Sequence, residues 1–214
     1  MGLFRTRRGL SLLAFATVMA VACVLLGLWQ LDRYQQRGER NEEIRSALQA
    51  GPTGLDDLLD AATTPDEVPD AVQWRTVTVR GSYDPTAELA LRLRSVEGQS
   101  GVHALAPLLL DDGTVVLVDR GFAATATRST GEATLPPPAA GPVAVTGRVR
   151  LRAAGHGSGL DSESSPPSIR FVVLAELDTL RDGDLAPGWL ERVVKRPSED
   201  ADLAAIPPPR LSAG

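Results

Sequence analysis

The chain has 214 residues, a net charge of −5 and a single cysteine, Cys23. The acidic balance disfavours a nucleic-acid partner, because phosphate neutralisation needs a basic face. One cysteine excludes an internal disulfide and any cysteine-built zinc or iron–sulfur site within one chain.

The first element is an apolar run. From Gly9 to Trp29 no residue is charged. As a helix, Leu10 to Leu28 extends about 28 Å, enough to cross a hydrocarbon core. Arg5, Arg7 and Arg8 precede it, and positive flanks stay on the cytoplasmic side. The expected layout is a cytoplasmic N-terminus over 1–9, a transmembrane helix over 10–31, and the rest outside the cell (inner) membrane. Trp29 falls at interface height, where Asp32 and Arg33 meet water. Three rival readings compete. Ala20-Val21-Ala22 fits a signal-peptide cleavage site, but the apolar stretch runs on through Val24-Leu25-Leu26. Val21-Ala22-Cys23 ends like a lipid-modification site, but Ala20 stands where a larger aliphatic is usual. A buried soluble helix conflicts with the length and the missing polar face.

Residues 32–70 read as a helical extension and an acidic linker. Asp32 to Ala50 lacks proline, and Ile44 and Leu48 lie one turn apart, so the helix continues until Gly51-Pro52. Leu55 to Leu59 is a candidate short helix, and Thr63 to Pro69 a linker. Between Asp32 and Asp70 ten acids face four arginines, which argues against the domain lying flat on anionic lipid.

A β domain is expected over 71–200. Gln73–Arg80 and Glu88–Arg94 alternate apolar and polar residues as strands do, with Asp84-Pro85 turning between them. His103–Leu110 is a third strand. Pro107 cannot donate to a ladder, so an edge or bulge is expected there. Asp111-Asp112-Gly113 turns a hairpin into Thr114–Val118, whose apolar run predicts burial on both faces. Thr125–Gly141 is a loop. Val143–Leu151 is a strand with a bulge at Gly147. Ala153–Pro167 is an exposed loop. Ile169–Leu174 is a strand, Ala175–Leu180 one or two helical turns, and Trp189–Val194 the last strand. Residues 201–214 form a Pro-rich tail. Six or more strands with few helices make the fold class mainly β (α+β), a curled sheet or small β-barrel behind one transmembrane helix.

Chemistry is sparse. No Gly-x-Ser-x-Gly elbow, phosphate-binding glycine loop or His-Glu-x-x-His motif occurs. His156 stands in Gly155-His156-Gly157-Ser158-Gly159 and reads as a solvated loop histidine. His103 reads as a half-buried strand histidine bonded to a carbonyl, with haem or metal ligation as its alternative. Asp119-Arg120 reads as an ion pair or turn contact. Its alternative is an arginine fork for a carboxylate such as a haem propionate. This favours binding or assembly over catalysis.

Several stretches in order resemble one family. Leu26-Gly27-Leu28-Trp29-Gln30-Leu31-Asp32-Arg33 is similar to the helix exit of the surfeit locus protein 1 family of cytochrome c oxidase assembly factors. Trp74-Arg75-Thr76-Val77, Arg80-Gly81-Ser82-Tyr83-Asp84 and Gly101-Val102-His103-Ala104-Leu105-Ala106-Pro107-Leu108 resemble its strands, and Glu88 fits the position after its turn. Val116-Leu117-Val118-Asp119-Arg120-Gly121-Phe122 is similar to its hydrophobic-Asn/Asp-Arg-Gly-Trp/Phe motif.

The resemblance implies two membrane helices around a β domain, with both ends cytoplasmic. It implies a non-enzymatic chaperone role in the respiratory chain, maturing the catalytic subunit of cytochrome c oxidase, with transient haem a as the cofactor handled. The partners implied are membrane lipid, that subunit and other assembly factors. Two departures stand out. Ala123 follows Phe122 where the family continues Val-Pro. Pro207 to Gly214 resembles the approach to a second helix, cut short, so the family's haem-ligand histidine has no counterpart here. The candidate haem or partner contacts are Trp29, Gln30, Arg33, Tyr83, His103, Arg120 and Gly121. On a helix, positions 29 and 33 share a face. Interfacial anchoring explains Trp29 and Arg33 without a partner but leaves Gln30 costly against lipid. An accessory subunit retained in the oxidase complex is the alternative. An anchored hydrolase using His103 has no motif behind it.

Overall fold

The computed structural model describes residues 7–52, 54–55, 72–125, 134–151, 157–178, 185–193, 202–209 and 211. His156, the span 56–71 with the expected linker, and 194–200 lie outside them. The chain divides into two units, Met1–Arg45 with Arg210–Gly214, and Ser46–Pro209.

Helix α1 runs from Arg7 to Gln49 without interruption, so the apolar run and its polar extension are one element. Leu10, Phe15, Val24 and Leu28 are all exposed. Apolar side chains on every face of a free helix have no core to fill, which suits surroundings of hydrocarbon. It is the one helix among the described residues long and apolar enough to cross a membrane, and it is the candidate anchor.

The second unit is built on strands β1 (Thr76–Tyr83), β2 (Leu89–Val96), β3 (Gln99–Leu110), β4 (Val115–Ala124), β5 (Pro142–Arg150), β6 (Ser168–Ile169) and β7 (Leu185–Arg192). A short helix α2 spans Leu174–Asp178. The sheet order is β1-β5-β7-β4-β3-β2-β6, and β1 also pairs with β3. That extra pairing closes five strands into a small barrel, with β2 and β6 extending past the seam. Closure removes the free edges that an open sheet of this size would expose. The expected mainly β domain is the one found.

Alternation places two apolar layers. Val77, Val79, Ala106, Leu108, Val116, Val118, Val145, Val149 and Leu190 come from all five barrel strands and fill the interior. Leu89, Leu91, Leu105, Leu117 and Trp189 lie on the opposite face and pack under Ile169, Val172 and Leu177. β4 is therefore buried on both sides, as its continuous apolar run predicts. The Asp-Asp-Gly hairpin forms as expected: Leu110 N donates to Thr114 O at 2.9 Å, and Gly113 takes φ +91.

Three local expectations are corrected. Gly147 is not a bulge, because β1 and β5 stay in register through Val77↔Gly147. It is small because a Cβ there would stand 3.0 Å from Glu191 O and Leu190 Cβ. The expected irregularity at Pro107 lies elsewhere. Pro107 pairs with Leu117, and its missing donor falls where β3 changes partner from β2 to β1. The strand expected over Ile169–Leu174 stops at Ile169, since Leu174 already opens α2.

Candidate functional site

β3 and β4 stay in step except at one place, between Ala104↔Gly121 and Leu105↔Asp119. Arg120 is the extra residue. This bulge resets the alternation of β4, so Asp119 and Phe122 share a face although three positions apart. His103 meets both. Its Nδ1 lies 2.6 Å from Asp119 Oδ2, and its ring meets Phe122 edge-on at 5.8 Å. The expected carbonyl partner of His103 is a carboxylate instead.

Arg120 is sent to the other face and is fully buried, 1% exposed. Its guanidinium pairs with Glu88 and donates to Pro136 O at 3.0 Å and Pro137 O at 2.9 Å. It also lies 5.8 Å from the centre of the Tyr83 ring. A rigid fork can serve three acceptors at once where an ammonium would not. The carboxylate this arginine holds is Glu88.

Gly121 completes the bulge. Its N donates to Asp119 Oδ1 at 3.1 Å, and its φ is +143. A Cβ there would sit 2.8 Å from Ala204 O and 3.0 Å from Leu203 Cβ. The tail therefore docks where β7 ends: Phe122 N donates to Ala204 O at 2.9 Å, and Ala204 N donates back at 2.6 Å. Leu203 and Ile206 are buried anchors. Arg148 Nη2 donates to Ile206 O and Pro207 O, both at 3.2 Å.

The outer face of the sheet beside His103 carries a charged row. Arg148 pairs across with Glu191 on β7, and Glu191 with Asp119 on β4. Glu191 also holds Arg150, which stacks on Trp74 at 4.0 Å. Burial pushes the Glu191 carboxyl above the usual carboxylate range; Arg150 pulls it back and Asp119 raises it further. Burial lowers Arg94 and Arg150 in turn, with Asp119 opposing in both. A raised carboxyl binds its proton more tightly in the folded chain than in the unfolded one. Its contribution is fully present below the unfolded pKa and is lost as pH rises through the folded pKa. A carboxyl ¹³C titration should place the Glu191 midpoint above that of free glutamate. A midpoint at or below free glutamate would rule out the buried setting described here.

Of the sequence candidates, Tyr83, His103, Arg120 and Gly121 converge on this bulge from three strands. Trp29, Gln30 and Arg33 are exposed on α1 in the other unit, Trp29 and Arg33 one turn apart. Sequence reasoning missed Asp119 as the partner of His103, Glu191 in the charged row, and the docked tail. A glutamate inside the apolar strand Trp189–Arg192 was the one available signal. No group of three metal-binding side chains occurs among the described residues. On the His103 face, only Nε2 of that ring is left to bind a metal. Arg120 is engaged inside the domain, so it does not fit a haem propionate without surrendering Glu88.

The chain matches the SURF1 family over residues 17–211. It is 41% identical over 98 residues to uncharacterized SURF1-like proteins of Mycobacterium bovis and Mycobacterium tuberculosis, which is 46% of this chain and 35% of theirs. It is 25% identical over 127 residues to a SURF1-like protein of Dictyostelium discoideum, 58% of this chain and 46% of that one. The aligned part thus spans less than half the length of these relatives. With the match running from within α1 through the bulge to the docked tail, the chain belongs to the SURF1 family.

Proposed function

We propose that this chain is a membrane-anchored, non-enzymatic assembly factor for cytochrome c oxidase. It helps mature the catalytic subunit, with haem a as transient cargo. Its N-terminus is cytoplasmic and its β unit extracytoplasmic. One observation carries the reading: the family match takes in both the candidate anchor and the β unit. The site is consistent with a rigid contact surface, since Arg120 spends its donors on holding Glu88 and the 136–137 backbone in place. Trp29, Gln30 and Arg33 are the proposed contacts at membrane height, and His103, Tyr83, Arg120 and Gly121 shape the contact on the β unit.

Deleting the gene should remove the haem a band from reduced-minus-oxidised membrane spectra, together with oxidase activity. The intact gene should restore both. A gene carrying Trp29→Ala and Arg33→Ala should not, at equal abundance in the membrane. An unchanged a-type spectrum with normal activity in the deletion strain would sink the assembly reading.

A further inference from the structure

The second apolar layer is not fully covered. An open cleft of about 230 Å³ lies over it. Strands β2, β3 and β4 contribute Leu89, Pro107 and Leu117, and Leu177 and Leu185 line it from α2 and β7. Leu160 stands beside it, 40% exposed. An apolar cavity of about 150 Å³ already takes benzene, so this cleft has room for an aromatic side chain.

Its surroundings are acidic. Glu88 lines the cleft, and so do Thr86 and Ser162. Asp84 Oδ1 accepts from Thr86 N and Oγ1 at 2.9 and 2.6 Å, while Asp161 and Glu163 flank Ser162. Two arginines face these four carboxylates: Arg120 on Glu88, and Arg92 at 3.7 Å from Asp161. The balance at this mouth is negative. It repels anionic lipid headgroups and favours a cationic visitor.

We infer that this cleft is a docking site for a protein segment that inserts one aromatic or large aliphatic side chain and carries lysine or arginine on either side. An apolar anchor in a pocket ringed by opposite charge is how compact interfaces gain both affinity and register. The inference goes beyond the oxidase reading, and it stands whether or not the partner is an oxidase subunit. It also gives the Arg120–Glu88 pair a second consequence, because Glu88 is the carboxylate that Arg120 fixes at the cleft wall.

The test uses the full chain in phosphatidylcholine nanodiscs and two short fluorescein-labelled peptides. Both share a Leu-Phe core; one is flanked by lysines and the other by glutamates. Fluorescence anisotropy should show the lysine peptide binding at least about tenfold tighter, with the difference shrinking as salt rises. Ser162 is exposed at the mouth. Ser162→Trp should block the cleft and abolish binding while leaving the unfolding curve unchanged. Equal binding of both peptides, binding of neither, or binding indifferent to Ser162→Trp would overturn the proposal. Displacement of the lysine peptide by monomeric dihexanoylphosphatidylcholine would instead make the cleft a lipid site, and would overturn it equally.

Discussion

Replacing Arg120 with alanine should cost the β unit about 3–5 kcal/mol, the range for removing one partner of a buried ion pair. The loss is large because of what stays behind. Glu88 is left as a half-buried carboxylate without its guanidinium partner, and the carbonyls of Pro136 and Pro137 lose their donor. Denaturant unfolding of the full chain in micelles, followed by tryptophan fluorescence, measures it. Arg120→Lys should fall between, since an ammonium keeps the charge but not the planar fork. Adding Glu88→Gln to Arg120→Ala should recover part of the loss, because the stranded charge goes with it. A loss under about 1 kcal/mol would mean that the pair behaves as a surface ion pair and not as a buried one.

The second large effect is expected at Gly101, through shape and not charge. Gly101 faces Ala124 across the β3–β4 ladder. A Cβ there would run into the Ala123 carbonyl oxygen and stand 2.6 and 2.7 Å from Phe122 Cζ and Cε2. The ladder cannot yield without breaking its hydrogen bonds. The ring cannot turn freely either, because its other neighbour is His103. Gly101→Ala should therefore cost about 2–3 kcal/mol, the upper part of the range for overpacking. It should also move the His103 ring resonances, because Phe122 is what sets their ring-current shift. Unchanged stability with unchanged His103 resonances would show that β3 and β4 lie farther apart there than described.

Both effects meet at the bulge, which explains why one short motif carries so much. Asp119 orients His103, Arg120 fixes Glu88 and the 136–137 backbone, and Gly121 admits the tail. Each neighbour does something different because the extra residue breaks the alternation of the strand. In a regular strand Asp119 and Phe122 would point apart, and His103 could not touch both.

The amino-acid sequence by itself determined the elements whose signals are local. Twenty-odd apolar residues without charge specify a helix of membrane length, and helical period carries it on to Gly51-Pro52. Alternation specifies the strands, Asp111-Asp112-Gly113 specifies a hairpin, and the apolar run of β4 specifies two buried faces. The ordered motifs around Trp29, Trp74, His103 and Arg120 were enough to point to the family. Only the tertiary structure decided who meets whom. Glu88 reaches Arg120 across 32 positions, and Arg148 finds the tail carbonyls across 58 and 59. Those pairings follow from barrel closure and from a one-residue slip in register, and neither leaves a periodic trace in the residues involved. Gly147 marks the same limit. Its smallness was legible, but its cause, the backbone of a strand more than forty residues away, was not.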